Sequence, residues 1–204
     1  MKKTDLVLVG VGGQGIILAS DIIGEAAMAA GLQVKKTDMM GMAQRGGSVV
    51  SHVRIGESVA SPLIEKGRVD IMLAFEKLEA CRYVDLLRSG GVAIVGNQST
   101  FPLSVSSGGE HYPTDEEVRD VLRQRTDRFF FVDGNGLAKK VGNIRTANIA
   151  LLGFLSQFMD LQADHWRTGL ERCVKPAFLP VNLEAFNLGI QEAAGQAVLS
   201  PLSA

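Results

Sequence analysis

Short apolar runs alternate along the chain with longer segments of helical periodicity, and this alternation predicts the fold. Residues 6–9 form a continuous apolar run that ends in glycines, which is typical of a fully buried parallel strand. Residues 14–30 follow with a broad apolar face and a narrow polar one, as in an amphipathic helix, and Gly31 suits the C-cap. Residues 32–37 supply a second strand, so the chain opens as a β-α-β unit.

The same alternation continues to the C-terminal region. Further strands are predicted over residues 48–55, 69–75, 92–95 and 129–132, and a turn at Gly56 followed by a short run at 58–60 predicts a hairpin. Helices are predicted over residues 76–88 (ended by glycines 90 and 91), from Thr114, and over 133–141, 143–158, 164–173 and 182–191, with a loop at 97–113. We expect a three-layer α/β fold with a mostly parallel, mixed sheet, a Rossmann-like start and extra C-terminal helices. Residues 1–195 are assigned to one domain, and residues 196–204 are expected to fray.

The composition limits the kinds of partner and the cellular compartment that we expect for this protein. The 204 residues are 46% apolar and 21% charged, and 21 basic against 22 acidic side chains leave no field that would attract nucleic acid. No apolar run approaches the ~20 residues that cross a bilayer, and the basic N-terminus leads into a strand, not a signal peptide. Cys81 and Cys173 lie far apart, so we expect a reduced, cytoplasmic protein. No metal site is predicted, because the histidines are scattered: His52, His111 and His165.

The glycine-rich segment GVGGQG at residues 10–15 is the first candidate for chemistry. It follows a strand and opens a helix, which is the form of a dinucleotide-binding loop. Backbone N–H groups at such a helix start attract anions, and Asp38 follows the second strand where a ribose-binding carboxylate would sit. The predicted cofactor-binding residues are Gly12, Gly13, Gln14 and Gly15. Three interpretations stay open: cofactor or anion binding, a subunit contact, and a tight turn without a ligand.

A second glycine-rich segment, QRGGS at residues 44–48, is predicted to contact a partner. Arg45 could donate two hydrogen bonds to a carboxylate or phosphate, and the glycines allow close approach of a neighbouring backbone. Three pliable methionines precede it, at positions 39, 40 and 42. The alternative is a loop with a solvated arginine. The residues predicted to form a subunit or active-site contact are Gln44, Arg45, Gly46, Gly47, Ser48 and His52.

Two polar residues in apolar surroundings need separate interpretation. His52 lies on a predicted strand beside the second segment, where it either faces a substrate or partner or has a structural role. We favour the structural role, since nothing nearby forms a proton relay. Asn148 lies in a very apolar helix, and we interpret it as satisfying a loop backbone group. No residue is assigned as catalytic.

Both glycine-rich segments resemble those of a known family. The pairing of GVGGQG with MGMAQRGGSVVSHVR at residues 40–54 is similar to the gamma-type subunit of 2-oxoacid:ferredoxin oxidoreductases. Within this family, the sequences of the two segments most resemble the beta subunit of the indolepyruvate enzymes, which is related to the gamma subunit of the pyruvate enzymes. GNIRTAN at residues 142–148, with Leu152-Gly153, also resembles the family pattern. The resemblance covers nearly the whole chain, with the last forty residues less specific.

The resemblance implies a function that this chain performs only with partners. Such enzymes decarboxylate a 2-oxoacid oxidatively, form an acyl-coenzyme A and pass electrons to ferredoxin. The resemblance implies that thiamine diphosphate and iron–sulfur clusters belong to the partner subunits, and it makes coenzyme A a candidate ligand for the 10–15 loop. The isolated chain is therefore expected to be colourless and inactive. Two alternatives remain: a stand-alone dinucleotide-dependent oxidoreductase that uses this loop with Asp38, and a purely structural subunit.

Overall fold

A six-stranded mixed sheet forms the centre of the protein. The structure, a computed structural model, describes residues 3–41, 47–99 and 112–196. In these ranges the strands are β1 (Thr4–Val11), β2 (Gln33–Met40), β3 (Ser48–Gly56), β4 (Val69–Ala74), β5 (Leu87–Gly96) and β6 (Phe129–Val132). Their order is β2-β3-β1-β4-β5-β6. Strand β3 is antiparallel to both neighbours, and the pairs from β1 to β6 are parallel.

Helices cover both faces of the sheet. The α-helices are α1 (Ile16–Ala29), α2 (Lys77–Tyr83), α3 (Asp115–Arg123), α4 (Gly134–Lys140), α5 (Ala147–Ser156), α6 (Ala163–Cys173) and α7 (Leu179–Gly195). Short 3₁₀ turns lie at Val84–Leu86, Ile144–Thr146 and Pro176–Phe178. Thr114 starts α3 with a capping box, because its hydroxyl and the Glu117 carboxylate bind each other's backbone amides. Within the described ranges, no helix combines the length and apolarity needed to cross a bilayer.

The alternation of strand side chains divides the interior into two apolar clusters. On β1, Leu6 and Leu8 point into one cluster, whereas Val7 and Val9 point into the other. Helices α1, α5, α6 and α7 close the first cluster, and α2 and α3 close the second. The expected three-layer α/β architecture with extra C-terminal helices is confirmed.

Two local predictions were wrong. Residues 58–60 form no strand, and the sheet is mixed because β3 is inserted between β2 and β1. Glycines 90 and 91 do not end a helix, since α2 already ends at Tyr83 and both glycines lie within β5. The fully buried Leu87 pairs with Val69 at the start of the β4–β5 ladder, and this long-range pairing prevails over local helix preference.

Helices α5 and α7 cross with their backbones in contact. A Cβ atom on Gly189 would lie 1.9 Å from the Ala150 carbonyl oxygen, and one on Gly153 would lie 2.0 Å from that of Phe186. The sheet covers the other side of α5, whose residues from Asn148 to Ser156 are all buried. The near-continuous apolar character of this segment therefore reflects burial on all sides.

Candidate functional site

At the carboxyl ends of the adjacent strands β1 and β4, the connections to the next helices leave toward opposite faces of the sheet. Strand β1 leads into α1 on one face of the sheet, and the adjacent parallel strand β4 leads into α2 on the other. Connections that diverge in this way open a crevice, which is the usual ligand site of α/β proteins. The 10–15 loop begins at the carboxyl end of β1. Ser48, the first residue of β3, lies at the same end of the sheet, because β3 runs antiparallel to β1.

The two glycine-rich segments meet at this edge. The Gly12 amide donates a hydrogen bond to the Gly47 carbonyl oxygen at 2.9 Å, and the Gly41 amide donates to Ser48 at the same distance. Gln44, Arg45 and Gly46 lie outside the described residues, so their contact role stays a prediction. The motifs that the sequence places more than thirty residues apart form one surface.

Hydrogen bonds inside the 10–15 loop occupy part of its backbone. The Gln14 amide donates to the Val11 carbonyl at 3.1 Å, and the Gln14 side-chain oxygen accepts from the Val11 amide at 2.8 Å. Gly13 and Gly15 adopt φ values of 105° and 80°, which favour glycine. In the described part of the chain their amides have no hydrogen-bond acceptor. The amides of Gly12 and Gln14 are already used internally, whereas within the described residues those of Gly13 and Gly15 remain open to a ligand.

Asn148 supports the loop from α5. Its side-chain nitrogen donates to the Gly15 carbonyl oxygen at 3.4 Å, and its side-chain oxygen accepts from the Ile149 amide at 3.0 Å. A Cβ atom on Gly15 would lie 2.3 Å from the Asn148 nitrogen, so this contact requires glycine. The interpretation of Asn148 as a partner for loop backbone is confirmed.

A groove of about 670 Å³ lies against the loop, between α1 and the ends of β2 and β3. It is lined by Gly12, Gly13, Gly15, Ile16, Ile17, Met40, Gly41 and Val49. Met40 is 68% exposed and Ile17 37% exposed, and no charged side chain belongs to the described part of this lining. The described surface of the groove consists of apolar side chains and bare backbone, and surfaces of this kind take part in protein contacts.

A buried carboxylate that the sequence did not single out holds Ser48 in place. The Ser48 hydroxyl donates to the Glu79 carboxylate and lies 3.0 Å from the Tyr83 hydroxyl. Glu79 is only 2% exposed, and Arg82 donates to it at 2.9 Å. The spacing of Glu79 and Arg82 was visible in the sequence, but nothing local pointed to Ser48. Helix α2 thus anchors the second glycine-rich segment.

Replacing Ser48 by alanine should destabilise the protein by roughly 1–3 kcal/mol, because the buried Glu79 carboxylate loses a donor. Urea unfolding followed by circular dichroism measures the change. The matched control is Ser58→Ala at an exposed serine, where we expect a change within about 0.5 kcal/mol. Equal stabilities of the two variants would contradict the anchoring role of Ser48.

His52 does not belong to the contact surface, so this part of the predicted set is corrected. Its side chain is 3% exposed and faces the second apolar cluster, where Nδ1 accepts a hydrogen bond from the Ile64 amide at 3.3 Å. Burial, with a smaller contribution from Arg54, lowers the pKa of His52 below its ordinary 6.5. The ring is neutral and structural.

Stability should therefore fall as the pH is lowered from 7 to 5.5, because the unfolded His52 takes up a proton there and the folded one resists it. In His52→Asn an amide oxygen can replace Nδ1 as acceptor, and nothing at this position titrates. We expect the variant to show a smaller drop in unfolding free energy over this interval, measured by urea titration at each pH. Parallel pH profiles would refute the assignment.

The position of Asp38 also differs from the prediction. It lies inside β2, where it accepts from the Ser51 hydroxyl at 2.6 Å and pairs with Lys36 at 3.1 Å. Strand β3 separates β2 from β1, so Asp38 is two strand spacings, about 10 Å, from the strand that carries the glycine loop. A ribose-binding carboxylate requires β2 beside β1, and Asp38 is not placed for that role.

Other ionisable groups of the described chain offer little chemistry. Burial is the main cause that raises the pKa of both the Cys81 and the Cys173 thiol to about 11, so neither is a ready nucleophile. A second cavity of about 670 Å³ lies at the opposite edge of the sheet. Charged side chains on its wall pair with one another, as Arg54 does with Asp5 and Arg88 with Asp70. Among the described residues, no three metal-ligand side chains cluster.

Comparison with known proteins identifies the family. The chain matches the family model for pyruvate ferredoxin/flavodoxin oxidoreductase over residues 5–192. It is 37% identical to the indolepyruvate oxidoreductase subunit IorB of Pyrococcus horikoshii, over 95% of this chain and 97% of that one. It is 38% identical to the subunit of the same name from Archaeoglobus fulgidus, over 94% and 96% of the two chains.

Solved structures share the fold. The gamma subunit of a keto/oxoacid ferredoxin oxidoreductase from Geobacter sulfurreducens is 26% identical with a TM-score of 0.70, covering 94% of this chain and 99% of that one. A 2-oxoglutarate:ferredoxin oxidoreductase from Magnetococcus marinus is 22% identical with a TM-score of 0.72, covering 96% of this chain and 32% of that one, and this likeness concerns the fold alone. The chain thus belongs to the pyruvate ferredoxin/flavodoxin oxidoreductase family, as a gamma-type subunit of a 2-oxoacid:ferredoxin oxidoreductase.

Proposed function

We propose that this chain is the gamma-type subunit of a thiamine diphosphate-dependent enzyme that oxidises indolepyruvate or a related arylpyruvate to the acyl-coenzyme A. The observation that carries the substrate class is the end-to-end similarity to relatives named for indolepyruvate, at 37% and 38% identity. Relatives named for 2-oxoglutarate are more distant, at 27% identity over a similar length. Pyruvate remains the alternative substrate.

The reactive cofactors belong to the partner subunits in this proposal. An iron–sulfur cluster of the four-thiolate kind needs four cysteines, and this chain has two, far apart in sequence. Both thiols are kept protonated by their pKa of about 11. The electrons therefore leave through clusters on another chain, toward ferredoxin.

The partner contact in this proposal is the groove at the carboxyl edge of β1. Exposed Ile17 and Met40 supply apolar area, and the hydrogen bond from Gly12 to Gly47 joins the two glycine-rich segments into one surface. An apolar projection of a partner subunit fits such a lining. In its cytoplasmic complex the chain would complete an active site whose reacting groups lie elsewhere.

Coenzyme A is the second occupant to consider at this edge. The enzyme from Magnetococcus marinus binds coenzyme A, although this chain corresponds to only a third of that protein. In the described structure the amides of Gly13 and Gly15 are free, and the first turn of α1 carries no acidic side chain. A coenzyme A phosphate could therefore dock on the helix N-terminus.

Variants in a reconstituted complex separate the two occupants. Gly13→Val forces a side chain into the groove, and Gly31→Val is the control, because both positions have positive φ and open space around a Cβ atom. If Gly13→Val weakens subunit assembly and leaves the KM for coenzyme A unchanged, the groove is a protein contact. If assembly is intact and the KM rises, the loop binds the cofactor. Arg45→Ala is tested in the same way.

Partner identity and the rival dehydrogenase function need two direct measurements. Co-purification from native extract should recover thiamine- and cluster-bearing subunits in stoichiometric amount. Titration of the isolated chain with NADH should give no saturable fluorescence change, because Asp38 is displaced from the loop. Recovery of the chain alone, together with micromolar NADH binding, would overturn the proposal.

A further inference from the structure

A smaller cavity, of about 470 Å³, lies where α6 ends beside α1. Its wall includes Asn143, Arg145 and Thr146, which belong to the GNIRTAN segment, and Lys175 and Phe178 after α6. None of these residues lines the groove at the 10–15 loop. The proposed function therefore leaves this part of the segment unexplained.

The charged side chains on the described wall of this cavity are all positive. Arg145 and Lys175 are exposed, and within the described ranges neither has an ion-pair partner. No acidic side chain belongs to the described wall, and the neighbouring Arg172 is already paired with Glu25 at 2.9 Å. Two cationic side chains without ion-pair partners at one small cavity favour the binding of an anion.

The remaining wall combines apolar surface with one polar acceptor. Phe178 is 53% exposed, and Leu18 and Val174 add aliphatic area. Asn182 is only 9% exposed, and its side-chain nitrogen donates to the Phe178 carbonyl at 2.7 Å. Its side-chain oxygen has no donor in the described part of the chain. This oxygen is not buried, so it can accept a hydrogen bond from water or from a ligand in the cavity.

We propose that this cavity binds a small organic anion with a flat apolar body. A carboxylate or phosphate would be held by Arg145 and Lys175, the flat body would pack on Phe178, and a donor on the ligand would reach the Asn182 oxygen. The volume lies within the range of small-molecule sites. The cavity shares no described lining residue with the groove at the glycine loops.

Calorimetric titration of the full chain with two probes tests the site. 4-Hydroxyphenylacetate supplies a carboxylate, a ring and a donor, and adenosine 5′-monophosphate supplies the same features with a phosphate. We expect saturable binding of at least one probe, weakened about tenfold by Arg145→Ala or Lys175→Ala and also by Phe178→Ala. The probe that binds distinguishes a carboxylate from a phosphate ligand.

The control is Arg125→Ala, since Arg125 is exposed, lacks an ion pair within the described ranges and lies after α3 on the other face of the sheet. It should bind the probes as the unaltered chain does. The side chains of Arg145 and Lys175 make no hydrogen bond or ion pair with the described residues, and the backbone bonds of both residues survive alanine substitution, so their variants should keep the thermal midpoint. Absence of saturation up to about 10 mM, or binding that both cation variants leave unchanged, would overturn the proposal.

Discussion

Replacing Gly189 by alanine is expected to destabilise the protein by about 3 kcal/mol or more. The added carbon would lie 1.9 Å from the Ala150 carbonyl oxygen and 2.8 Å from the Phe154 amide nitrogen, so α7 must move away from α5. For a chain of this size the loss lowers the midpoint of thermal unfolding by roughly 6–12 °C. Calorimetry or circular dichroism measures it.

Gly195→Ala on the same helix is the matched control. A Cβ atom there meets nothing within 4 Å, so this variant should be neutral or slightly more stable, as expected from helix propensity. The contrast between two identical substitutions six residues apart isolates the helix crossing. A Gly189→Ala protein with the unfolding midpoint of the control would show that α5 and α7 do not touch as described.

Gly15→Ala is expected to cost more than Gly31→Ala, although the two glycines have nearly the same backbone conformation. Their φ values are 80° and 78°, so each alanine incurs about 1–2 kcal/mol of left-handed strain. Only at Gly15 does the new carbon also collide with Asn148, at 2.3 Å. Overpacking adds roughly 1–3 kcal/mol, and urea unfolding of both variants gives the difference.

A double variant shows whether Asn148 causes the excess. In a background with Asn148→Ala the collision is gone, so Gly15→Ala should cost about as much as Gly31→Ala does. If the excess persists without Asn148, another neighbour is responsible. Equal costs in the unaltered background would mean that α5 does not support the loop.

Most elements of the fold could be predicted because their signals are local. The apolar run of β1, the capping box at Thr114 and the all-round apolarity of α5 each indicated the element observed. Strand order is not a local property. Strand β3 carries the same β-type pattern whether it lies at an edge or between β2 and β1, so its insertion could be seen only in the structure.

In the candidate site, too, the local features could be predicted from the sequence and the long-range contacts could not. The glycines of the 10–15 loop signalled a tight turn, and Gly13 and Gly15 do adopt positive φ. Which amides remain free depends on a backbone contact with Gly47 and on the folded-back Gln14 side chain, neither of which has a sequence signature. The contact of Glu79 with Ser48 has no sequence signal for a related reason: Ser48 comes from a distant strand.

The insertion of β3 has a consequence for synthesis on the ribosome. β1 and β2 share no hydrogen bonds, since each forms its ladder with β3. A nascent chain that has emerged only as far as residue 41 therefore holds a helix between two strands that have nothing to pair with. The β1–β3 and β2–β3 ladders cannot form until residues 48–56 have left the exit tunnel. This part of the sheet therefore forms later than the early position of β1 and β2 in the sequence would suggest.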